Sequence, residues 1–270
     1  MLQSFPETHS EVMKLSDFDR FAEILEKSRR VAVLTGAGVS TLSDIPDFRS
    51  SDGLYSKKFG HMSVEELLDI SFFREHPDVF YSWAKDNWYV IGDRKPNIIH
   101  TTLKRLEDLG LLSEGIFTQN IDALHQKAGS RKVFELHGSL MRGYCINCNS
   151  YYTYDDISIM VHSGMVPVCR SCGGIIKPDI VFYGENLDLS VLKRAEIAFG
   201  NADLALVLGS SLVVNPAASL PYITAEKGRD VVIVNRDRTY LDNYASLVFR
   251  DLESFFSELS RYLSGKHQLF

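Results

Sequence analysis

Every cysteine of the chain falls into one of two Cys-x-x-Cys pairs, Cys145 with Cys148 and Cys169 with Cys172, with 20 residues between the pairs. Thiolates at that spacing can close a tetrahedral zinc site, because each pair forms a knuckle and the intervening hairpin brings the knuckles together. The competing possibility, two disulfides or four unrelated buried thiols, requires chance to place all four in one pattern. Four sulfur ligands leave no open position for water, so such a metal is structural and the reacting groups lie elsewhere.

Those groups gather where apolar runs stop. Gly36-Ala37-Gly38 follows the run VAVLT, where a backbone approaching a pyrophosphate needs small residues, with Val39 and Ser40 leading into a helix N-terminus. The ordinary dinucleotide fingerprint asks for a third glycine where this chain has Thr41, so a plain tight turn competes evenly at this point. Asp47-Phe48-Arg49 then offers a carboxylate, an aromatic face and a guanidinium in a loop able to cover a ligand; a surface turn with an Asp–Arg ion pair is the alternative. Gln119, Asn120 and Asp122 at the end of a second run suit a ligand bearing ribose and amide groups, or a helix cap. Ser210, Ser211 and Asn235 end two further runs and can bond phosphate and ribose hydroxyls, although each is also a natural cap. Among eight histidines (His9, His61, His76, His100, His125, His137, His162 and His267), position favours His137, which ends the run KVFEL just ahead of the first cysteine knuckle.

The elements that must hold these residues follow from periodicity. Four short apolar runs, 31–38, 115–122, 204–212 and 231–237, read as buried parallel strands. Ser16 and Asp19 open an amphipathic helix carrying Phe18, Phe21 and Leu25, and Ser63 with Glu66 forms a capping box ahead of Leu67 and Leu68. Pro96 starts, and Gly110 stops, a third helix with Leu103, Leu106 and Leu109 on one face. Strand alternating with helix predicts an α/β fold, a doubly wound parallel (Rossmann-like) sheet built from 15–50, 98–140 and 178–262. A helical insertion, 51–97, and a zinc-ribbon insertion, 141–177, are expected to form a small lobe beside it. In such sheets ligands bind at the carboxyl ends of the strands, so the candidate groups converge on one site.

With 270 residues and 45% hydrophobic content the chain can fill one large core and a satellite. Twenty-nine basic against 35 acidic residues give a net charge of −6, which argues against a nucleic-acid footprint. No apolar run approaches the ~18 residues of a membrane span. Metal-type cysteine spacing without a secretion signal points to the reducing cytoplasm.

In order along the chain, GAGVSTLSDIPDFR, TQNID, ELHG, the two cysteine pairs, KPDIVFYGE, GSSL and IVN resemble the sirtuins, the Sir2-type NAD-dependent protein deacylases, over roughly residues 30–250. The resemblance implies NAD as co-substrate between a Rossmann-type lobe and the zinc lobe, with an acetyl-lysine protein or peptide beside it. It implies cofactor contacts from Gly36, Ala37, Gly38, Thr41, Asp47, Phe48, Arg49, Gln119, Ile121, Asp122, Gly209, Ser210, Ser211, Asn235 and Leu252. Val181, Phe182, Gly184 and Glu185 would pair with the peptide backbone. The implied catalytic residues are His137, a general base toward the nicotinamide-ribose 2′-hydroxyl, and Asn120. Zn²⁺ on Cys145, Cys148, Cys169 and Cys172 would be structural.

Family members usually carry Gly where this chain has Asp44, which alters the covering loop. Succinyl-selective members carry Tyr-x-x-Arg in the acyl pocket and tend to have Ala where Thr41 stands. Here Tyr81 is followed by Ala84, so uncharged acyl groups are expected. Two other readings stay open from sequence: a mono-ADP-ribosyltransferase or NAD glycohydrolase on the same fold, and a non-catalytic NAD sensor or adaptor.

Overall fold

A computed structural model describes residues 16–266 apart from positions 52 and 57; residue 15, His9 and His267 therefore lie outside the described residues. Six parallel strands form the main sheet: β1 (Val31–Thr35), β2 (Gly115–Thr118), β3 (Val133–Glu135), β7 (Leu204–Leu208), β8 (Asp230–Val234) and β9 (Leu247–Phe249). Their spatial order is β3-β2-β1-β7-β8-β9. Chain direction along the sheet thus reverses between β1 and β7, the switch point of a doubly wound fold.

Burial explains why the strands are continuous apolar runs. Val31 and Val33 face a cluster with Phe18, Phe21 and Leu25 of α1 (Asp17–Lys27), Leu103 and Leu106 of α5 (Ile98–Asp108), and Phe255 and Phe256 of α10 (Leu252–Lys266). Ala32 and Leu34 face the opposite cluster, with Ala198 and Phe199 of α8 (Leu189–Asn201) and Leu220 of α9 (Leu220–Glu226). A strand sandwiched in this way has no solvent face and needs no polar alternation.

Register sets the site. Thr35 of β1 lies opposite Thr118 of β2 and Leu208 of β7, Leu208 opposite Val234 of β8, and Thr118 opposite Glu135 of β3. Five strands therefore end level, and the residues after them (Gly36, Gln119, Leu136–His137, Gly209 and Asn235) emerge along one line. Gly36 and Gly209 cross at the switch point so closely that a Cβ on Gly36 would lie 2.7 Å from the Gly209 carbonyl oxygen. Gly209 itself has φ +60°, the left-handed region that favours glycine.

Two segments leave this plan. One carries α2 (Val64–Leu67), α3 (Ile70–Glu75) and α4 (Pro77–Asn87). The other carries α7 (Tyr154–His162) and an antiparallel sheet of β5 (Tyr151–Thr153), β4 (Gly138–Cys145) and β6 (Ile176–Ile180). Both contribute to a single aromatic-rich cluster that includes Phe73, Phe80, Trp83, Trp88, Tyr152 and Phe182.

Four local expectations need correction. The segment after β1 is not an α-helix but two 3-10 turns, 37–39 and 41–43, the second ended by Asp44 at φ +55°. That left-handed conformation accounts for the usual glycine at this position, and Asn and Asp tolerate it best among the other residues. Asn97, not Pro96, caps α5, and Leu109 is its C-terminal cap residue, 36% exposed instead of on the buried face. The apolar runs overshoot the strands, which stop at Thr35, Thr118, Leu208 and Val234, because the polar residues that follow turn away to form loops. β9 escaped the sequence reading altogether, being three residues long.

Candidate active site

The level strand ends open into a cleft of about 590 Å³ between the sheet and the smaller lobe. Gly36, Ala37, Gly38, Thr41, Asp47, Phe48, Arg49, Gln119, Asn120, Ile121, His137, Val181, Phe182, Gly184, Glu185, Gly209, Ser210, Ser211, Asn235 and Leu252 all line it. Asp122 alone among the candidate cleft residues does not; it is buried beneath the floor.

The floor is a hydrogen-bond network. Ser40 Oγ donates to Asp122 Oδ2 at 2.7 Å, and the Asn120 amide donates to Ser40 Oγ and to the Gly36 carbonyl, both at 3.1 Å. Ser40, 1% exposed, thus ties the loop after β1 to the loop after β2, a role the sequence reading did not assign. Burial raises the pKa of the Asp122 carboxyl, opposed by bonds from the Leu124 amide and Ser40. Ser210 Oγ donates to Gln119 Oε1 at 2.7 Å, joining the ends of β2 and β7.

His137 sits in the cleft wall with Nδ1 3.1 Å from the Gln119 carbonyl oxygen. A carbonyl can only accept, so Nδ1 carries the proton and Nε2 is left with its lone pair, the tautomer a base requires. Burial lowers its pKa below the ordinary histidine value, with the Gln119 bond opposing and the Arg49 charge adding to the drop. Gly138 fixes this geometry: at φ +75°, a Cβ there would fall 2.0 Å from the Asp179 carbonyl. The chain therefore passes from His137 into β4 with Gly138 pressed against β6, and just past the end of β6 the Val181 amide donates back to the His137 carbonyl at 3.0 Å.

The covering loop differs from the ion-paired turn considered above. Asp47 Oδ1 accepts from the Arg49 and Ser50 amides at 3.0 and 2.7 Å, so the carboxylate shapes the turn. Arg49 lies over the Tyr55 ring at 5.1 Å, and the Tyr55 and Tyr183 hydroxyls meet at 2.8 Å across the mouth. Phe48, Leu68, Trp88, Ile121, Ile180 and Phe182 give part of the wall an apolar surface. Tyr81 and Ala84 are not part of it. Both are buried within the small lobe, and the Tyr81 hydroxyl donates to the Ile176 carbonyl. Their spacing does put them on one face of α4, but that face turns into the lobe's core.

The four cysteines meet with all Sγ atoms within 4.8 Å of one another. Contacts of 3.3 to 3.5 Å between them are far beyond a disulfide bond. Each knuckle turns through a left-handed residue, Asn149 at φ +59° or Gly173 at φ +72°, whose amide returns to the carbonyl of the first cysteine at 2.9 Å. The Asn147 and Ser171 amides point at the Cys145 and Cys169 sulfurs, as a thiolate needs. This donor set fits a zinc ion. None of the four lines the cleft.

Sheet order, level strand ends and the sulfur-bearing lobe define a doubly wound α/β protein with its ligand cleft at the switch point. The chain belongs to the Sir2 family, which it matches over residues 36–216. It is 46% identical over 237 residues to an NAD-dependent protein deacetylase of Thermotoga maritima, covering 88% of this chain and 93% of that one. It is 43% identical over 234 residues to one of Clostridium perfringens, covering 86% and 93%. A Sir2 solved with p53 peptide and NAD+ superposes with a TM-score of 0.82 at 42% identity, covering 93% of this chain and 98% of that one. Another, solved with deacetylated p53 peptide and 3′-O-acetyl ADP ribose, gives a TM-score of 0.85 at 42% identity, covering 92% and 98%.

Proposed function

We propose that the protein is an NAD-dependent protein lysine deacetylase that moves the acetyl group of a modified lysine onto ADP-ribose and releases nicotinamide. The observation that carries this reading is the tautomer of His137, a neutral imidazole with Nε2 free, in a cleft whose glycine turns and polar strand ends suit a dinucleotide. Relatives named for this activity, at 46% identity over 88% of the chain, support it.

NAD supplies the ribosyl carbon that accepts the acetyl oxygen, with nicotinamide as its leaving group. Gly36, Ala37, Gly38, Thr41, Gly209, Ser210, Ser211, Asn235 and Leu252 are the residues we assign to its phosphates and adenosine. Asp47, Phe48, Arg49, Gln119, Ile121 and Asp122 are assigned to the nicotinamide end, where Phe48 would exclude water. Asn120 orients the ligand, held by Ser40 and Gly36. His137 takes a proton at Nε2 from a hydroxyl in the cleft, while the Gln119 carbonyl keeps the opposite nitrogen protonated. Val181, Phe182, Gly184 and Glu185 offer strand edge to an acetyl-lysine peptide.

Cys145, Cys148, Cys169 and Cys172 would hold Zn²⁺ as a structural ion. We divide the chain into a nucleotide-binding unit (15–50, 98–140 and 178–262) and a small lobe (51–97 and 141–177), a division supported by an aromatic cluster drawn mostly from the latter. The thiolate set favours a cytoplasmic location; no described helix is long and apolar enough to cross a membrane.

The test is to incubate the protein with NAD and an acetyl-lysine peptide and identify every product by mass spectrometry. Deacetylated peptide, nicotinamide and O-acetyl-ADP-ribose in equal amounts are expected. Nicotinamide with free ADP-ribose, or with an ADP-ribosylated peptide, would replace the reading by a glycohydrolase or ADP-ribosyltransferase.

A further inference from the structure

The loop after β1 is pinned from two sides. From the cleft side, the Gly38 amide donates to the Gly209 carbonyl at 2.9 Å, and Asn120 and Asp122 hold Gly36 and Ser40. From the far side the attachment is Asn97, at the start of α5 and outside the cleft lining. Its amide nitrogen donates to the Val39 carbonyl at 2.8 Å and to Ser43 Oγ at 2.9 Å, one acceptor in each of the two 3-10 turns. Its carbonyl oxygen meanwhile caps α5, accepting from the Ile99 amide at 2.9 Å, and lies 3.0 Å from His100 Nδ1. One short side chain thus joins the loop to a helix rooted in the apolar cluster beneath the sheet through Ile99, Leu103 and Leu106. The other tie to this segment, Arg94 with Asp44 at 3.3 Å, is a solvent-exposed ion pair and contributes little.

We infer that Asn97 is a positioning residue for the dinucleotide: by clamping both 3-10 turns it presets the loop that receives the ligand, without touching the ligand itself. The inference rests on the NAD reading above. Splitting the side chain into its two halves separates this role from a merely structural one, because the cap needs only an acceptor whereas the clamp needs the two amide hydrogens.

Asn97→Asp keeps the size and the cap but cannot donate, and it sets a carboxylate oxygen against the Val39 carbonyl. Asn97→Ser keeps a good cap and removes the clamp with no new charge. Both variants are compared with wild type by calorimetric titration of NAD and, separately, of an acetyl-lysine peptide, together with thermal melts. The expected result for Asn97→Ser is a loss of NAD affinity of about tenfold from two missing hydrogen bonds, with peptide affinity within about twofold and a melting temperature lowered by no more than a few degrees. Asn97→Asp should lose at least as much. Wild-type NAD affinity in Asn97→Ser would overturn the inference, and so would parallel losses of NAD affinity, peptide affinity and melting temperature, which mark a fold defect. Failure of the wild type to bind NAD would instead strike the reading in the previous section.

Discussion

In the main sheet all five residues of β1, Val31–Thr35, are buried between two layers of helices, whereas in the small sheet Tyr151 and Thr153 of β5 stand exposed at an edge. The first region is held by parallel pairing and apolar layers on both faces, enough to carry a row of polar groups at its rim. The second is a small module with a three-stranded sheet, and a unit of that size buries too little apolar surface to be held by packing alone. It makes up the difference with aromatic rings, such as Phe73 packed at 5.1 Å on Phe80 and Trp83 at 5.1 Å on Trp88, and with four gathered thiolates. The lesson is a division of labour: the sheet can spend side chains on chemistry because backbone and burial hold it, whereas the lobe spends its cysteines on holding itself.

Removing the metal should break this contrast most severely, because a structural zinc contributes on the order of 10 kcal/mol to the folding of its module. The chain has two tryptophans, Trp83 and Trp88, and both belong to the lobe's cluster, so their fluorescence reports on that region alone. Chelation, or Cys169→Ser, is expected to red-shift their emission while far-UV circular dichroism retains most of the helix signal. Elemental analysis of the untreated protein should give one zinc per chain. A folded, active protein without zinc and with unshifted tryptophan emission would show that the lobe stands unaided.

The sheet's rim answers to a different perturbation. His137→Ala should lower the deacetylation rate by about two to four orders of magnitude, the usual cost of a lost general base, while tryptophan emission and melting temperature stay in place. NAD affinity should remain within a few fold, since the base acts after binding. Because burial lowers the pKa of His137, the acid limb of the wild-type rate profile should fall below the ordinary histidine value of about 6.5. Full activity in the variant, or an acid limb above that value, would remove His137 from the chemistry.

The acyl pocket tests the lobe's contribution to the cleft. The lobe presents Leu68 and Trp88 beside Ile180 and Phe182, and the arginines lining the cleft are engaged elsewhere, Arg49 over Tyr55, Arg236 with Asp237 and Arg250 with Asp242. A succinyl carboxylate would lack a cationic partner there. Acetyl-lysine is therefore expected to be preferred by about tenfold to a hundredfold in kcat/KM, measured on matched peptides at saturating NAD. Since Ala84 is fully buried in the lobe, Ala84→Arg should destabilise it instead of admitting succinyl groups. Equal efficiencies in the wild type would mean that a cation does reach the acyl group.

What the sequence made legible follows the same divide. The main strands announced themselves because burial on both faces forces unbroken apolar runs, and the thiolate site because cysteine spacing is itself the geometry. The rim residues could be placed because each strand stops where polar residues begin. Other features lay beyond a linear reading. Which way the shared face of Tyr81 and Ala84 points depends on the packing of α4, and the donations of Asn97 to Val39 and Ser43 join positions 54 to 58 residues apart. β9 has a periodicity too short to detect. Ser40 stood in plain view as a small residue after the glycine turn, but its link to Asp122 needed the level register of β1 and β2.

The smallest expected effect concerns a histidine pair under the sheet's rim, and it gives the main sheet a weakness of its own. His100 and His125 are buried, with ring centroids 4.8 Å apart, and His125 Nε2 lies 3.0 Å from Thr35 Oγ1. His100 Nε2 and His125 Nδ1 have no hydrogen-bond partner among the described residues. Burial pushes their pKa values down to about 4 and about 3, with the neighbouring His100 adding to the drop at His125. Below the unfolded value of about 6.5 the unfolded chain therefore binds protons that the native state refuses, so stability rises with pH in this window. Their contribution is complete above about 6.5 and is lost progressively as pH falls toward 4, at up to about 1.4 kcal/mol per pH unit for each ring. Zinc loss also accompanies acid, which the tryptophans report, so the sheet's share must come from a variant. His125→Gln should flatten the fall in urea-unfolding free energy between pH 6.5 and 5 by about one ring's worth, even if the variant is less stable at pH 7.5. An unchanged slope would mean that the acid weakness of the fold lies in the sulfur-bearing lobe.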